Sequence, residues 1–297
     1  MTPWRPADLP DLSGTTALVT GANSGIGYQA VLGLAKNGAR VLLAARNPER
    51  GEQAVAKLKA TLPEGQIELI HLDLADLSNV RETAKAVLAE HEHLDLLINN
   101  AGEKVVPKRR TTKDGFEAQF GTNHLGHFAL TGLLLPALRP GARIVTITSA
   151  SHRFNAFDID DPQQERSYQP MRAYGRSKLA NMIFTLELER RLAGTEIHSY
   201  AAHPGFALDP DDSLGNPVFD LLAKPIVQDM AGGAMPTLYA ATVPDLPGGT
   251  LVGPGNLLRT KGSPRPEKPS PKATDPRLGR RLWELSEELT DVRYLSS

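Results

Sequence analysis

Short apolar runs alternate along the chain with longer stretches whose apolar residues recur every three or four positions. The runs lie at 16–20 (TALVT), 40–45 (RVLLAA), 67–72 (IELIHL), 94–98 (LDLLI), 143–148 (RIVTIT) and 196–201 (EIHSYA). Each is about one strand long, and several are apolar almost throughout, as strands covered on both faces are. Segments 26–37, 49–61, 80–91, 112–138 and 172–192 carry helical periodicity, and 112–138 is long enough to be broken. This alternation predicts an α/β fold with a doubly wound parallel sheet and helices on both faces. No shift in pattern divides the chain, so residues 1–297 read as a single domain. Residues 204–235, rich in Pro, Gly and Asp, are expected to form an excursion that covers a ligand. Residues 262–276 read as an extended surface segment. A last helix at 277–289 sets Leu278, Leu282, Trp283, Leu285 and Leu289 mostly along one docking face.

Composition narrows the classes. At 40% hydrophobic and 23% charged, the 297 residues are those of a globular protein. A net charge of −1 argues against an electrostatic nucleic-acid binder. The chain has no cysteine, which removes disulfides, thiolate metal sites and cysteine nucleophiles and fits a reducing compartment. No apolar run approaches the ~20 residues of a membrane span. The N-terminal MTPWRPADLPDLSG has no signal-peptide core, so a cytoplasmic location is expected. The pairs His124/His127 and His91/His93 lack a third ligand, and no metal is expected.

The first strand runs into Gly21-Ala22-Asn23-Ser24-Gly25-Ile26-Gly27. Gly21 lets the chain leave the strand sharply, Gly25 lets backbone approach a pyrophosphate, and Gly27 lets the next helix pack close to the sheet. The helix N-terminus adds N–H donors for phosphate. Asn23, Ser24 and Ile26 fall in the same turn and are candidate cofactor contacts, and a glycine turn of this kind in a doubly wound sheet predicts a Rossmann-type fold. The second strand ends Ala45-Arg46, a cation where a carboxylate would hold a free ribose 2′-hydroxyl, so NADP(H) is favoured over NAD(H). Asp73, before Leu74 at the end of the third strand, accepts from an adenine amino group or caps the next turn, and both readings stand.

Tyr174 and Lys178 are four apart, on one face of a helix whose apolar Leu179, Met182, Ile183 and Leu186 follow. A neighbouring ammonium favours a phenolate and lowers its pKa. These features together resemble the short-chain dehydrogenase/reductase family. The stretches are TGANSGIG (20–27), Asp73, NNAG (99–102), TNHLGHF (122–128), Ser149, YGRSK (174–178) and HPG (203–205), in family order over about residues 12–253. The wording is most similar to the retinol-dehydrogenase-like and WW-domain-oxidoreductase-like branch. The resemblance implies Tyr174 as general acid/base, Lys178 lowering its pKa and binding the nicotinamide ribose, and Ser149 holding the substrate oxygen. It also implies Asn123 anchoring a water that links Lys178 to solvent. Asn100, Ala101 and Gly102 would line the adenosine side, and Pro204-Gly205 would border the nicotinamide. Ser151 is the fallback for Ser149. The implied activity is interconversion of a carbonyl and an alcohol on a bulky apolar small molecule, without metal. The helices near 112–138 and 172–192 form dimer surfaces in many members, which leaves a homodimer open.

Two positions depart from the family. Glu103-Lys104 follows NNAG where apolar residues are usual, a charge expected near the nicotinamide end or turned to solvent. Asp209 stands where Thr or Ser is usual, and Pro210 after it suits a helix cap. Lys108-Arg109-Arg110 reads as a solvated loop. The rival classes are a non-catalytic NADP-binding regulator on the same fold and, resting on that basic loop alone, a protein-interaction module.

Overall fold

The computed structural model describes residues 3–208 and 226–294. One sheet runs in the order β3-β2-β1-β4-β5-β6-β7-β8. Its strands are β1 (Thr16–Thr20), β2 (Arg40–Ala45), β3 (Ile67–His71), β4 (Leu94–Asn99), β5 (Leu138–Ile147), β6 (His198–Ala202), β7 (Leu251–Pro254) and β8 (Pro264–Glu267). All neighbours pair parallel except β8, which runs antiparallel to β7 at the edge. The order reverses between β1 and β4, which opens a crevice at the carboxyl ends of the strands, the place where such sheets bind ligands.

The apolar runs explain the double cover. Successive residues point to opposite faces. Val19, Leu43, Ile98 and Val145 meet Val31 and Leu34 of α1 (Gly25–Lys36), Leu58 of α2 (Pro48–Thr61) and Leu238 of α7 (Met230–Thr242). Leu18, Leu42, Leu97 and Ile144 meet the other layer. That layer comprises Val80 and Val87 of α3 (Leu77–Glu90), Phe128 and Leu134 of α5 (Gly126–Leu134), Phe184 and Leu188 of α6 (Pro170–Arg191) and Trp283 of α8 (Pro276–Thr290). The terminal helix docks as its periodicity predicts, with Leu282 and Trp283 buried.

Two expectations change, and the break allowed for in 112–138 is found. The long helical segment is broken into α4 (Ala118–Phe120), a π-helical stretch Gly121–Leu125 and α5, followed by a 3-10 turn. At the junction, a side chain on Gly126 would come within 2.4 Å of the Leu74 carbonyl oxygen, so only glycine permits this approach. Residues 230–235, assigned to the excursion, instead begin helix α7. The extended segment 262–276 contains β8. Of the excursion itself, Ala207 bridges to Gln228, while Asp209, Pro210, Leu214, Phe219, Leu221 and Leu222 lie outside the described residues. Among the described residues, no helix is long and apolar enough to cross a membrane.

Candidate active site

The crevice is built where the ends of β1 and β4 are tied together. Thr20, the last residue of β1, takes part in four contacts through its hydroxyl oxygen. It accepts from the amides of Asn100 and Ala101, both at 2.9 Å, faces His127 Nε2 at 2.8 Å, and lies 3.4 Å from the Ile98 carbonyl. The Asn100 side chain donates to the Thr20 carbonyl at 2.8 Å. Residues 99–102 are thereby fastened to the glycine turn. That turn has Gly21 at φ +62° and Gly25 at φ +57°. A Cβ on Gly21 would stand 2.7 Å from Ala101 Cα, and one on Gly27 would stand 2.5 Å from Asn100 Nδ2. At Gly25 a Cβ would meet only Met230 Sδ, at an ordinary contact distance of 3.7 Å, so the positive φ and not crowding is what favours glycine there. Ser24 makes no side-chain cap to α1, and Asn23 and Ile26 flank it at the mouth of the turn. A dinucleotide phosphate fits this cradle.

Tyr174, Lys178 and Ser149 come together at the end of β5. Burial pushes the Tyr174 phenol up, and a hydrogen bond with Ser149 partly opposes it. The Lys178 ammonium, brought down to about 8 by burial, lies 5.8 Å from the Tyr174 ring centroid and donates to the Ile147 carbonyl at 3.2 Å. The expected lowering of the phenol by lysine is therefore not seen in the protein alone, where burial raises it and only Ser149 opposes. Asn181, which sequence reasoning missed, shares the Ile147 carbonyl at 3.0 Å, and Thr148 accounts for the Lys178 carbonyl at 2.7 Å. The hydroxyl that meets Tyr174 is that of Ser149; the Ser151 hydroxyl is buried without a partner.

The remaining residues divide. Asn123, within the π-helical stretch, accepts from the Glu103 amide at 2.7 Å and donates to the Ser177 hydroxyl at 2.9 Å and to the Glu103 carbonyl at 3.3 Å. Gly102 sits between Asn123 and Lys178, where a Cβ would be 3.1 Å from Asn123 Oδ1 and 3.3 Å from Lys178 Nζ. Asp73 caps its own turn, accepting from Ala75 N at 3.0 Å, and still lines the cleft. The Leu74 side chain is buried in the core, which leaves only its backbone to meet a ligand. Gly205 has φ +68°, and any side chain there would strike the Thr260 carbonyl. Pro204 is held by Gln228 Nε2 at 2.7 Å.

A network no motif announced lies behind the Ser149 turn and the HPG stretch. Glu267 of β8, whose side chain is 3% exposed, takes Arg153 at 3.0 Å, Arg259 at 3.3 Å and His203 Nε2 at 3.4 Å; burial pushes its carboxyl up, but His203 and the two guanidiniums outweigh that and hold it low. His152 donates from Nδ1 to the Ser149 carbonyl at 2.6 Å. The only forewarning was the unusual glutamate between prolines.

Two charge expectations are corrected. Glu103 sits toward the end of β2, pairing with Arg46 at 3.4 Å and Arg110 at 3.4 Å. The cause is that its backbone is pinned by Asn123, which aims the side chain toward the end of β2. The basic cluster is not simply solvated: Arg109 donates to the Gln163 carbonyl at 3.1 Å, and Arg110 holds Glu103. Arg46, Asp73, Glu103 and Arg110 line a cavity of about 220 Å³.

The histidines of 122–128 are structural. His124 faces Ser286 at 2.9 Å and His127 faces Thr20; burial lowers them to about 3 and about 4. Below pH 6.5 the unfolded chain takes up protons these rings refuse, so their contribution is full above 6.5 and falls as the solution is acidified. We expect a lower urea midpoint at pH 5 than at pH 7, and an unchanged midpoint would refute that assignment. At the other end of the sheet, Glu68, Glu90 and His91 bring potential ligand atoms within 4.8 Å, with His91 paired to Glu68 at 3.6 Å.

Residues 15–210 match the family model of short chain dehydrogenases. Retinol dehydrogenase 14 of Mus musculus is 38% identical, over 95% of this chain and 87% of its own length. A crystal structure of an uncharacterized protein from Mycobacterium paratuberculosis is 42% identical, with a TM-score of 0.84 over 99% of this chain and 100% of that one. The Pseudomonas aeruginosa RhlG/NADP active-site complex is 26% identical, with a TM-score of 0.66 over 81% of this chain and 94% of that one.

Proposed function

Since the chain belongs to the short-chain dehydrogenase family, in its retinol-dehydrogenase-like branch, we propose that this oxidoreductase uses NADP(H) to interconvert a carbonyl and an alcohol on a bulky apolar small molecule. The observation that carries the chemistry is the meeting of Tyr174 with Ser149 beside a buried Lys178, at the strand ends that also hold the glycine turn. Bound in the crevice, the nicotinamide supplies hydride exchange at its C4 carbon. The protein's part is positioning and proton transfer. The Ser149 hydroxyl donates to the substrate oxygen and polarises it. Tyr174 Oη gives that oxygen a proton in reduction and takes it back in oxidation. Lys178 is fixed through the Ile147 carbonyl, where its ammonium faces the ribose side and favours the phenolate. Asn123 holds the Glu103 backbone in place and would anchor a water that links Lys178 to solvent. Gly21, Asn23, Ser24, Gly25, Ile26 and Gly27 hold the pyrophosphate. Asp73, the Leu74 backbone, Asn100, Ala101 and Gly102 line the adenosine, and Pro204 and Gly205 border the nicotinamide.

Cofactor choice rests on Arg46, the cation at the end of β2, a strand that itself ends without the carboxylate that would take a 2′-hydroxyl. The RhlG/NADP complex is a relative of the same fold that binds this cofactor. The unmodified protein should bind NADPH more tightly than NADH. Arg46→Asp should weaken NADPH by about 1.5–3 kcal/mol, the worth of a charge-assisted contact to phosphate. Titration by nicotinamide fluorescence measures both, and equal affinity for the two cofactors in the unmodified protein removes the NADP(H) assignment. A panel of apolar aldehydes and ketones with NADPH then tests the substrate class; turnover confined to small polar carbonyls would remove it.

A further inference from the structure

Glu103 belongs to neither the glycine turn nor the Tyr174 constellation, yet it has a fixed place at the adenosine end of the crevice. Its amide and carbonyl are tied to Asn123 at 2.7 and 3.3 Å, so only its side chain is left to swing. That side chain is 23% exposed and reaches two guanidiniums that are each about 60% exposed: Oε1 to Arg46 Nη1 and Oε2 to Arg110 Nη2, both at 3.4 Å. The two cations come from different walls, the end of β2 and the loop before α4. Lys113, on the same cavity, is already neutralised by Asp76 at 2.5 Å. Among the described residues, Glu103 is therefore the carboxylate within ion-pair distance of Arg46.

We infer that Glu103 is a specificity-determining residue for the cofactor, a resident counter-ion on Arg46 that a ribose 2′-phosphate must replace. The inference rests on the assignment of NADP(H) to Arg46. A phosphate monoester carries up to two charges and several strong acceptors, so it outcompetes one carboxylate for a guanidinium. The gain is only what remains after the Glu103 pair is given up. Arg110 retains the carboxylate when Arg46 turns to the phosphate and keeps it from facing the new charge unpaired. A cofactor with a free 2′-hydroxyl makes no claim on Arg46 and leaves the bridge intact. Glu103 thus narrows the difference between the two cofactors without touching the reacting end.

The test is a set of titrations with NADPH and NADH at fixed ionic strength on the unmodified protein, Glu103→Gln, Arg110→Gln, the double variant and Arg46→Ala. Glutamine keeps the size of the side chain and removes its charge. Glu103→Gln should tighten NADPH about three- to fivefold, the scale of one partly exposed ion pair, and change NADH less than twofold. Arg110→Gln should weaken NADPH, and that effect should vanish in the double variant, since Arg110 acts through Glu103. If Arg46→Ala weakens NADPH but Glu103→Gln does not tighten it, the counter-ion role is overturned while the cofactor assignment stands. Equal tightening of both cofactors also overturns it, by showing that Glu103 merely obstructs the cleft. An Arg110→Gln effect that persists in the double variant places Arg110 on the phosphate itself and overturns the retention step. If Arg46→Ala leaves NADPH unchanged, the cofactor assignment fails and takes the inference with it.

Discussion

Tyr174→Phe should lower turnover at least ~100-fold, the lower bound for loss of a positioned general acid/base, while NADPH affinity changes little. The substitution removes one oxygen. The ring remains, and so does its place beside Lys178, 5.8 Å from ammonium to centroid. Lys178 also keeps its own anchor on the Ile147 carbonyl, so the ribose side of the crevice is undisturbed. What disappears is the proton on the substrate side and the hydroxyl partner of Ser149. The effect should fall on kcat, because the missing interaction develops during the reaction and not on binding. Burial holds the phenol above its ordinary value in the protein alone. A step that needs the phenolate should therefore speed up with rising pH in the alcohol-oxidising direction, and the Phe variant should lose that dependence. Steady-state rates across pH, paired with cofactor titrations, check both; retained turnover removes Tyr174 from the mechanism.

Trp283→Ala should cost roughly 3–5 kcal/mol of stability, the range for truncating a large buried aromatic. The indole is 2% exposed and touches α5, α6 and the C-terminal segment after α8. It stacks with Phe184 of α6 at 6.0 Å, meets Phe128 of α5 edge-on at 5.0 Å and Tyr294 at 4.5 Å, and carries the Arg191 guanidinium over its face at 4.3 Å. Its loss leaves a cavity between the two helices that carry the Tyr174 and Asn123 segments. Urea denaturation with unchanged m-value measures it, and a change below 1 kcal/mol would show that α8 docks marginally. Activity per folded molecule should persist, which separates this variant from Tyr174→Phe.

The first six strands were legible because burial on both faces writes several of them as nearly continuous apolar runs, although β3 is largely half-buried. The terminal helix was legible because a single face is buried. Helix α7 was not: Gly232, Gly233 and Pro236 interrupt it, and small residues that suit close packing on α1 erase the amphipathic signal. β7 and β8 were not, since four residues each, with three prolines between them, read as loop. The break in 112–138 comes from a π turn set by tertiary contact with Leu74, invisible to periodicity. In the site, Gly21 and Gly27, bound to backbone geometry, were legible from type and spacing, whereas Gly205 came only with the family resemblance. Glu103 was misplaced because its partner Arg46 lies 57 residues away in sequence, and Glu267 escaped notice because its partners come from three separate turns.

The antiparallel edge strand also governs how far the sheet can grow. Gly255 donates to the Ser263 carbonyl, which sets the alternation along β7 and β8. Val252 faces Pro266 and Pro254 faces Pro264 as the non-bonded pairs, so both proline nitrogens lie on the outer side. That border has no N–H at either position, where an incoming strand would need one. β8 is thus a terminator: it completes β7 on its inner side and offers a ninth strand, from a second copy or an unfolded neighbour, too few donors to dock.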